Sequence, residues 1–156
     1  MPHQTKIDTF TSFVAETEPR LRRALTATFG PELGRDAAAE ALVYAWRHWE
    51  RVSVMDNPAG YLYRVGRDRG RALPAGSVGP MMEAIASAMP WVEPGLPKGL
   101  RELSEQQRTA FILIHGYEWT FGEVAEFMGV AKATVQTHES RAMSTLRKQL
   151  GVRNGD

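Results

Sequence analysis

The chain has 156 residues, 43% of them hydrophobic, and its 19 Lys+Arg against 18 Asp+Glu leave a formal net charge of +1. That is enough apolar material for real cores, in one domain or in two small helical ones. No run of about 18 uncharged apolar residues exists to span a membrane, and with no cysteine there is no disulfide framework, thiolate metal site or cysteine nucleophile.

A first helix is predicted from about Asp8 or Thr9 to Phe29, with Phe10, Phe13, Val14, Leu21, Leu25 and Phe29 on one approximately helical face. Pro19 falls inside it and predicts a kink or break, because proline removes a helical donor and crowds the preceding turn. Gly30-Pro31 then forces a turn. A second helix is predicted over about Arg35 to Arg51, with Leu42, Val43, Trp46 and Trp49 spaced for one face. The third starts at Asn57-Pro58, a cap residue followed by proline at the first helical position. It carries Tyr61, Leu62 and Val65 inward and its arginines outward.

Between residues 73 and 97 the composition changes. Pro74, Pro80, Pro90, Pro94 and Pro97 fall here with Gly76, Gly79 and Gly95, which predicts a partly stiff linker. Within it MMEAIASAM, residues 81–89, could form a short amphipathic helix. The expected organisation is all-α, with a helical domain over 1–72, a linker over 73–97 and a second helical domain over 98–156.

The second domain opens with a short turn at Leu100 to Leu103. Ser104 with Gln107, and Thr120 with Glu123, are two capping boxes, each followed by an apolar stretch. Phe111 to Ile114 make the first of these helices strongly apolar, and Gly116 ends it. The second is short, with Val124, Ala125 and Met128 inward, and Gly129 supplies the left-handed end that favours glycine. A final helix from Lys132 to Leu150 buries Val135, Ala142, Leu146 and Leu150.

A capped short helix, a glycine-bearing turn and a longer helix form a helix-turn-helix, in which the first helix braces the second for a DNA major groove. Outward positions of the last helix are Lys132, Ala133, Gln136, Thr137, Ser140, Arg141 and Ser144. Gln136 suits adenine and Thr137 a base edge or thymine methyl; Lys132, Arg141 and Lys148 suit phosphates. An αα-hairpin with a polar solvent face would read the same way. A second basic cluster, Arg64, Arg67, Arg69 and Arg71, surrounds only Asp68, and local patches of this kind matter more to nucleic acid than total charge.

The stretch LRELSEQQRTAFILIHGYEWTFGEVAEFMGVAKATVQTHESRAMSTLRKQLGV resembles region 4 of bacterial RNA polymerase sigma factors, of the small two-domain extracytoplasmic-function type. FTSFVAETEPRLRRAL, EALVYAWRHWERV and NPAGYLYRVGRDRGR resemble, in order, the helices of region 2, so the resemblance runs from about Phe10 to Val152. It implies a protein without catalysis that binds core RNA polymerase and promoter DNA. The implied polymerase contacts are the β′ coiled coil, through Asp36, Glu40 and Arg47, and the β flap. The implied −35 contacts are Lys132, Thr134, Gln136, Thr137, His138 and Arg141. The implied −10 contacts are Tyr61, Arg64, Arg67, Arg69 and Arg71, with Tyr61 and Tyr63 offering aromatic surface to an unpaired base. An anti-sigma protein is a further implied partner, and a cytoplasmic location is expected.

Four places depart from the resemblance. Ala37, Ala38 and Ala39 stand where acidic or amide residues are expected on the polymerase-facing helix. Asp68 stands beside the −10 strand, where it needs Arg64 or Arg71 as a partner. Ala131 lacks the side chain of a helix cap, and Glu139 falls on the buried stripe, where Lys132, Arg141, Arg147 or solvent would have to satisfy it. These leave two alternatives open: a helix-turn-helix regulator that does not dock on polymerase, or a sigma mimic that binds an anti-sigma or other regulatory protein. His3, His48, His115 and His138 have no metal-ligand spacing, and no phosphate loop or nucleophile motif is present. No enzyme, metal or cofactor is expected.

Overall fold

The computed structural model describes residues 2–73 and 96–151, and every regular element among them is a helix. Helix α1 (Pro2–Phe29) is continuous through Pro19 and starts earlier than the apolar periodicity suggests. Pro19 deletes one donor, but Thr17, Leu21, Ala24 and Leu25 on either side of it are buried, and that packing carries the helix across the gap. Gly30, at φ 95°, makes the turn into α2 (Pro31–Arg47). The expected second helix ends four residues early: it breaks at His48 and resumes as the single turn α3 (Trp49–Val52).

The face that α2 buries is not the predicted one. Gly34, Ala37, Ala38, Ala41 and Ala45 are buried, whereas Val43 is 50% exposed and Leu42 and Trp46 are half-buried. The cause is closeness. A side chain begun at Gly34 would place its Cβ 2.6 Å from the Thr26 backbone, so α1 and α2 meet through small residues. Large apolar residues mark the wrong stripe when two helices approach this closely. Trp46 instead meets Phe10 at 5.1 Å and lies under the Lys6 ammonium.

Helix α4 (Pro58–Ala72) begins as predicted, with the Asn57 side chain accepting from the Gly60 amide. It too packs through small residues: Gly60, Gly66 and Gly70 are buried with Leu62 and Tyr63, while Tyr61 and Val65 are only half-buried. The 81–89 segment and most of the expected linker lie outside the described residues. From Leu96 the chain is helical again, as α5 (Leu96–Arg101), so that of the turn predicted at Leu100 to Leu103 only Glu102 and Leu103 lie outside the helix.

Both capping boxes form, at Ser104–Gln107 and at Thr120–Glu123. Helix α6 (Glu105–Phe111) widens into a π-turn at Ile112–Gly116. Next, Glu118 takes a left-handed φ of 59° and directs Trp119 inward, edge-on to Phe127. Helix α7 (Phe121–Met128) ends at Gly129, φ 68°, as the helix-turn-helix reading requires. Helix α8 (Lys132–Gln149) buries Val135, Ala142 and Leu146, with Leu150 half-buried beyond its end.

Residues 2–73 and 96–151 share one core. α1 packs against α6 and the π-turn, and α4 packs against α7. The Arg20 guanidinium covers the Phe127 ring at 4.7 Å, and Asn57 donates to the Glu126 carbonyl at 2.7 Å.

Candidate nucleic-acid interface

Helix α8 stands on one narrow apolar edge, so most of its circumference faces water. Lys132, Gln136, Thr137 and Arg141 are exposed, and Thr137 donates to the Ala133 carbonyl at 3.1 Å. Thr134 is half-buried at the first turn. The helix has no side-chain cap at Ala131, as its sequence requires, so its first amides are open to an external acceptor.

Two α8 residues sit differently from expectation. His138 is half-buried with Nδ1 enclosed and unpartnered, and burial, then the nearby Arg141 charge, hold its pKa below the usual imidazole value. Glu139 is 17% exposed, and its partner is none of the expected cations but His115 Nε2, at 3.1 Å. Tertiary folding brings the π-turn alongside α8; chain proximity had suggested only Lys132, Arg141 and Arg147.

On α4 two of the four arginines, Arg69 and Arg71, are held by the chain's own carboxylates. Arg69 lies 3.8 Å from Glu40 of α2, and Arg71 lies 3.8 Å from Asp68, one of the two partners foreseen for it. Arg71 also grips Glu105 of α6 with Nε and Nη2, the former at 3.3 Å, and this hydrogen bonding raises its pKa. Arg64 is exposed and lies beside the Gly129 turn. Arg67 is half-buried over the Tyr63 ring, with Nε unpartnered.

Tyr63 itself is 1% exposed, so it does not present the aromatic surface expected of it. Tyr61, the other ring expected there, is joined by residues the sequence reading did not single out for it, Tyr44, His48 and Arg51. The Tyr44 and Tyr61 hydroxyls are 2.9 Å apart, Arg51 donates to Tyr44, and Arg51 and Arg69 flank the Tyr44 ring at 5.9 Å each. His48 lies against the same ring at 4.3 Å. The recoverable signal was the i, i+4 spacing of Tyr44 and His48 just before the α2–α3 break. Half-buried rings between guanidinium groups leave an edge that suits stacked bases and phosphates.

On α2, Asp36 and Arg47 are exposed, and Glu40 is half-buried with Arg69 as partner. Ala37 and Ala38, expected on the polymerase-facing surface, are core residues at 0% and 3% exposure; only Ala39 is exposed. Most of the alanine run therefore says nothing about docking.

Residues 96–146, about a third of the chain, match the family described as Sigma-70, region 4. No curated protein is similar enough in sequence to match. Among solved structures, the sigma factor RpoE in its co-crystal with the anti-sigma factor NepR, from Bartonella quintana, matches with a TM-score of 0.57 and 20% identity. The match covers 94% of this chain and 99% of that one. At that identity the likeness establishes the all-α fold. The region 4 match rests on residues 96–146, and the shared fold extends the likeness over the rest of the chain.

Proposed function

We propose that the chain is an RNA polymerase sigma factor that carries core polymerase to promoters, reading the −35 element with α8 and the −10 element with α4 and the Tyr44–Tyr61 surface. The observation that carries this is the region 4 match laid on the geometry of α7, Gly129 and α8, with Lys132, Gln136, Thr137 and Arg141 on the open face. Gln136 and Thr137 read base edges, while Lys132 and Arg141 fix register on phosphates. Asp36, Glu40 and Arg47 of α2 form the polymerase surface, with the β′ coiled coil and β flap as the implied contacts. The chain works without catalysis, in the cytoplasm, as two units over 1–72 and 98–156.

A second reading is favoured by the carboxylates on α4's arginines. A sigma mimic that captures an anti-sigma protein needs the fold but not the DNA contacts, and Glu40, Asp68 and Glu105 occupy Arg69 and Arg71, two of the four α4 cations offered to DNA.

Reconstitution separates the two. The protein is added to sigma-free core polymerase of its host with genomic fragments, and transcript starts are sequenced. Discrete starts sharing upstream −35 and −10 elements are the expected result. Absence of both core binding and starts would remove the sigma reading and leave the mimic.

A further inference from the structure

The first turns of α1 extend the helix beyond what its apolar face requires. His3, Gln4 and Thr5 are exposed there, and Lys6 and Ile7 are half-buried. The extension walls a cleft against α3. Lys6 lines it together with Arg47, His48, Trp49, Glu50 and Arg51, around a volume of about 440 Å³. Trp49 is buried, and its Nε1 donates to the Thr9 hydroxyl at 3.0 Å, which ties α3 to α1.

The cleft gathers positive charge that the chain leaves uncompensated. Lys6, Arg47 and Arg51 are permanent cations, and Glu50 is the carboxylate that lines it with them. None of the three cations makes an ion pair among the described residues. Lys6 lies over the Trp46 ring at 4.2 Å, and Arg51 donates to the Tyr44 hydroxyl. Elsewhere Arg22, Arg69 and Arg71, equally exposed, each have a carboxylate partner. Like charges gathered in a concave site raise the local potential for an anion. A monoanion leaves part of the excess unmet. Two adjoining phosphoryl groups meet it, and guanidinium groups pair with phosphate oxygens through forked hydrogen bonds.

A second cleft of about 500 Å³ adjoins the first, sharing Lys6, Trp49 and Glu50 and adding His3, Thr5, Thr9 and Ser53. Its added side chains are an imidazole and three hydroxyls, which suit a sugar better than a phosphate. Both lobes fall in the size range of small-molecule sites. We propose that they bind a small ligand with a pyrophosphate group, the diphosphate resting on Lys6, Arg47 and Arg51. In a nucleoside diphosphate the sugar then lies toward Glu50, Thr9 and Ser53. Lys6 and Glu50 line both lobes, where the two ends of such a ligand join. A DNA strand fits less well, because the Glu50 carboxylate would meet its phosphates. Such a site is independent of how the chain acts on polymerase, and it serves a sigma factor or a mimic alike.

Calorimetric titration of the full chain at fixed ionic strength tests this. Pyrophosphate should bind at one site per chain, and orthophosphate about tenfold more weakly. Lys6→Met keeps the apolar stem and should weaken pyrophosphate about tenfold, the loss of one charge-assisted hydrogen bond. Lys6→Arg should restore it. Arg23, exposed on the same helix about 25 Å from Lys6, is the control, and Arg23→Met should change nothing. Absence of saturable pyrophosphate binding overturns the site. So does equal loss in Lys6→Met and Arg23→Met, the sign of a general attraction for anions.

ADP titrated beside pyrophosphate distinguishes the source of the diphosphate. Tighter binding of ADP, reduced by Ser53→Ala while pyrophosphate binding is not, supports a nucleoside diphosphate spanning both lobes. Equal binding of the two supports free pyrophosphate in the cationic lobe. A single DNA strand of about ten nucleotides without terminal phosphate is the remaining probe. If it displaces pyrophosphate and loses affinity equally in Lys6→Met, the small-ligand site is overturned and the cleft belongs to nucleic acid.

Discussion

Helices α4 and α8 both carry arginines along a solvent side, yet among the described residues two of the four on α4 are ion-paired and none on α8 is. On α4, Arg69 and Arg71 are paired with Glu40, Asp68 and Glu105; on α8, Lys132, Arg141 and Arg147 make no ion pair among the described residues. The difference comes from the opposite faces of the two helices. Gly60, Gly66 and Gly70 let α4 sink between its neighbours, which brings carboxylates of α2 and α6 within reach of its cations. Val135, Ala142 and Leu146 hold α8 by one edge and leave it outside. A basic residue's availability to nucleic acid is therefore set by what packs beneath its helix.

The comparison breaks most visibly if the small-residue packing is spoiled. Gly34→Val drives a Cβ against the Thr26 backbone, which cannot yield as a side-chain tip could. Overpacking costs about 1–3 kcal/mol and occasionally more, and the clash with backbone puts this variant at the upper end, read as a lowered denaturant midpoint.

On α8 the expected effect is on DNA instead. Gln136→Ala should cost about 1–3 kcal/mol of discrimination at one base pair, with an unchanged melting curve. Arg141→Ala should weaken binding at all sequences and lower the salt slope by about one counterion. Equal loss on every sequence for Gln136→Ala would show that α8 positions the protein without reading bases.

The two helix caps sharpen the contrast between local and tertiary effects. Thr120→Ala removes a formed capping box and should destabilise by about 0.5–2 kcal/mol, whereas Ala131→Ser adds a missing cap and should stabilise by about 1 kcal/mol or less. Thermal melts of the pair should move in opposite directions.

The smallest effect concerns pH. His138 has a lower pKa folded than unfolded, so the unfolded chain binds its proton first as pH falls. Its contribution to stability is complete above the ordinary imidazole pKa and declines as pH drops through it toward the lower folded value. Because His138 is only partly buried the slope is shallow, and His138→Gln should abolish it in denaturant melts at about pH 7 and about pH 5, on either side of the ordinary imidazole value.

Local chemistry was legible wherever one or two side chains decide the outcome. The Asn57–Pro58 start, both capping boxes and the left-handed Gly129 could be read directly, because each depends on residues a few positions apart. The helix-turn-helix and its exposed residues followed from them, as did the resemblance to sigma region 4. Burial of α2 and α4 did not follow. Apolar periodicity ranks Val43 above Ala37, and only the close approach of α1 makes the alanines and glycines the interior.

By itself, then, the sequence determined the capped helix starts, the Gly129 end and the polar edge of α8, since those depend on backbone donors, acceptors and neighbours in the chain. Only the tertiary structure decided which arginines are spoken for, that Glu139 belongs to His115, and that Thr109 meets Thr28 across 81 positions. Those pairings depend on where helices distant in sequence come to lie, and packing volume sets that before charge does.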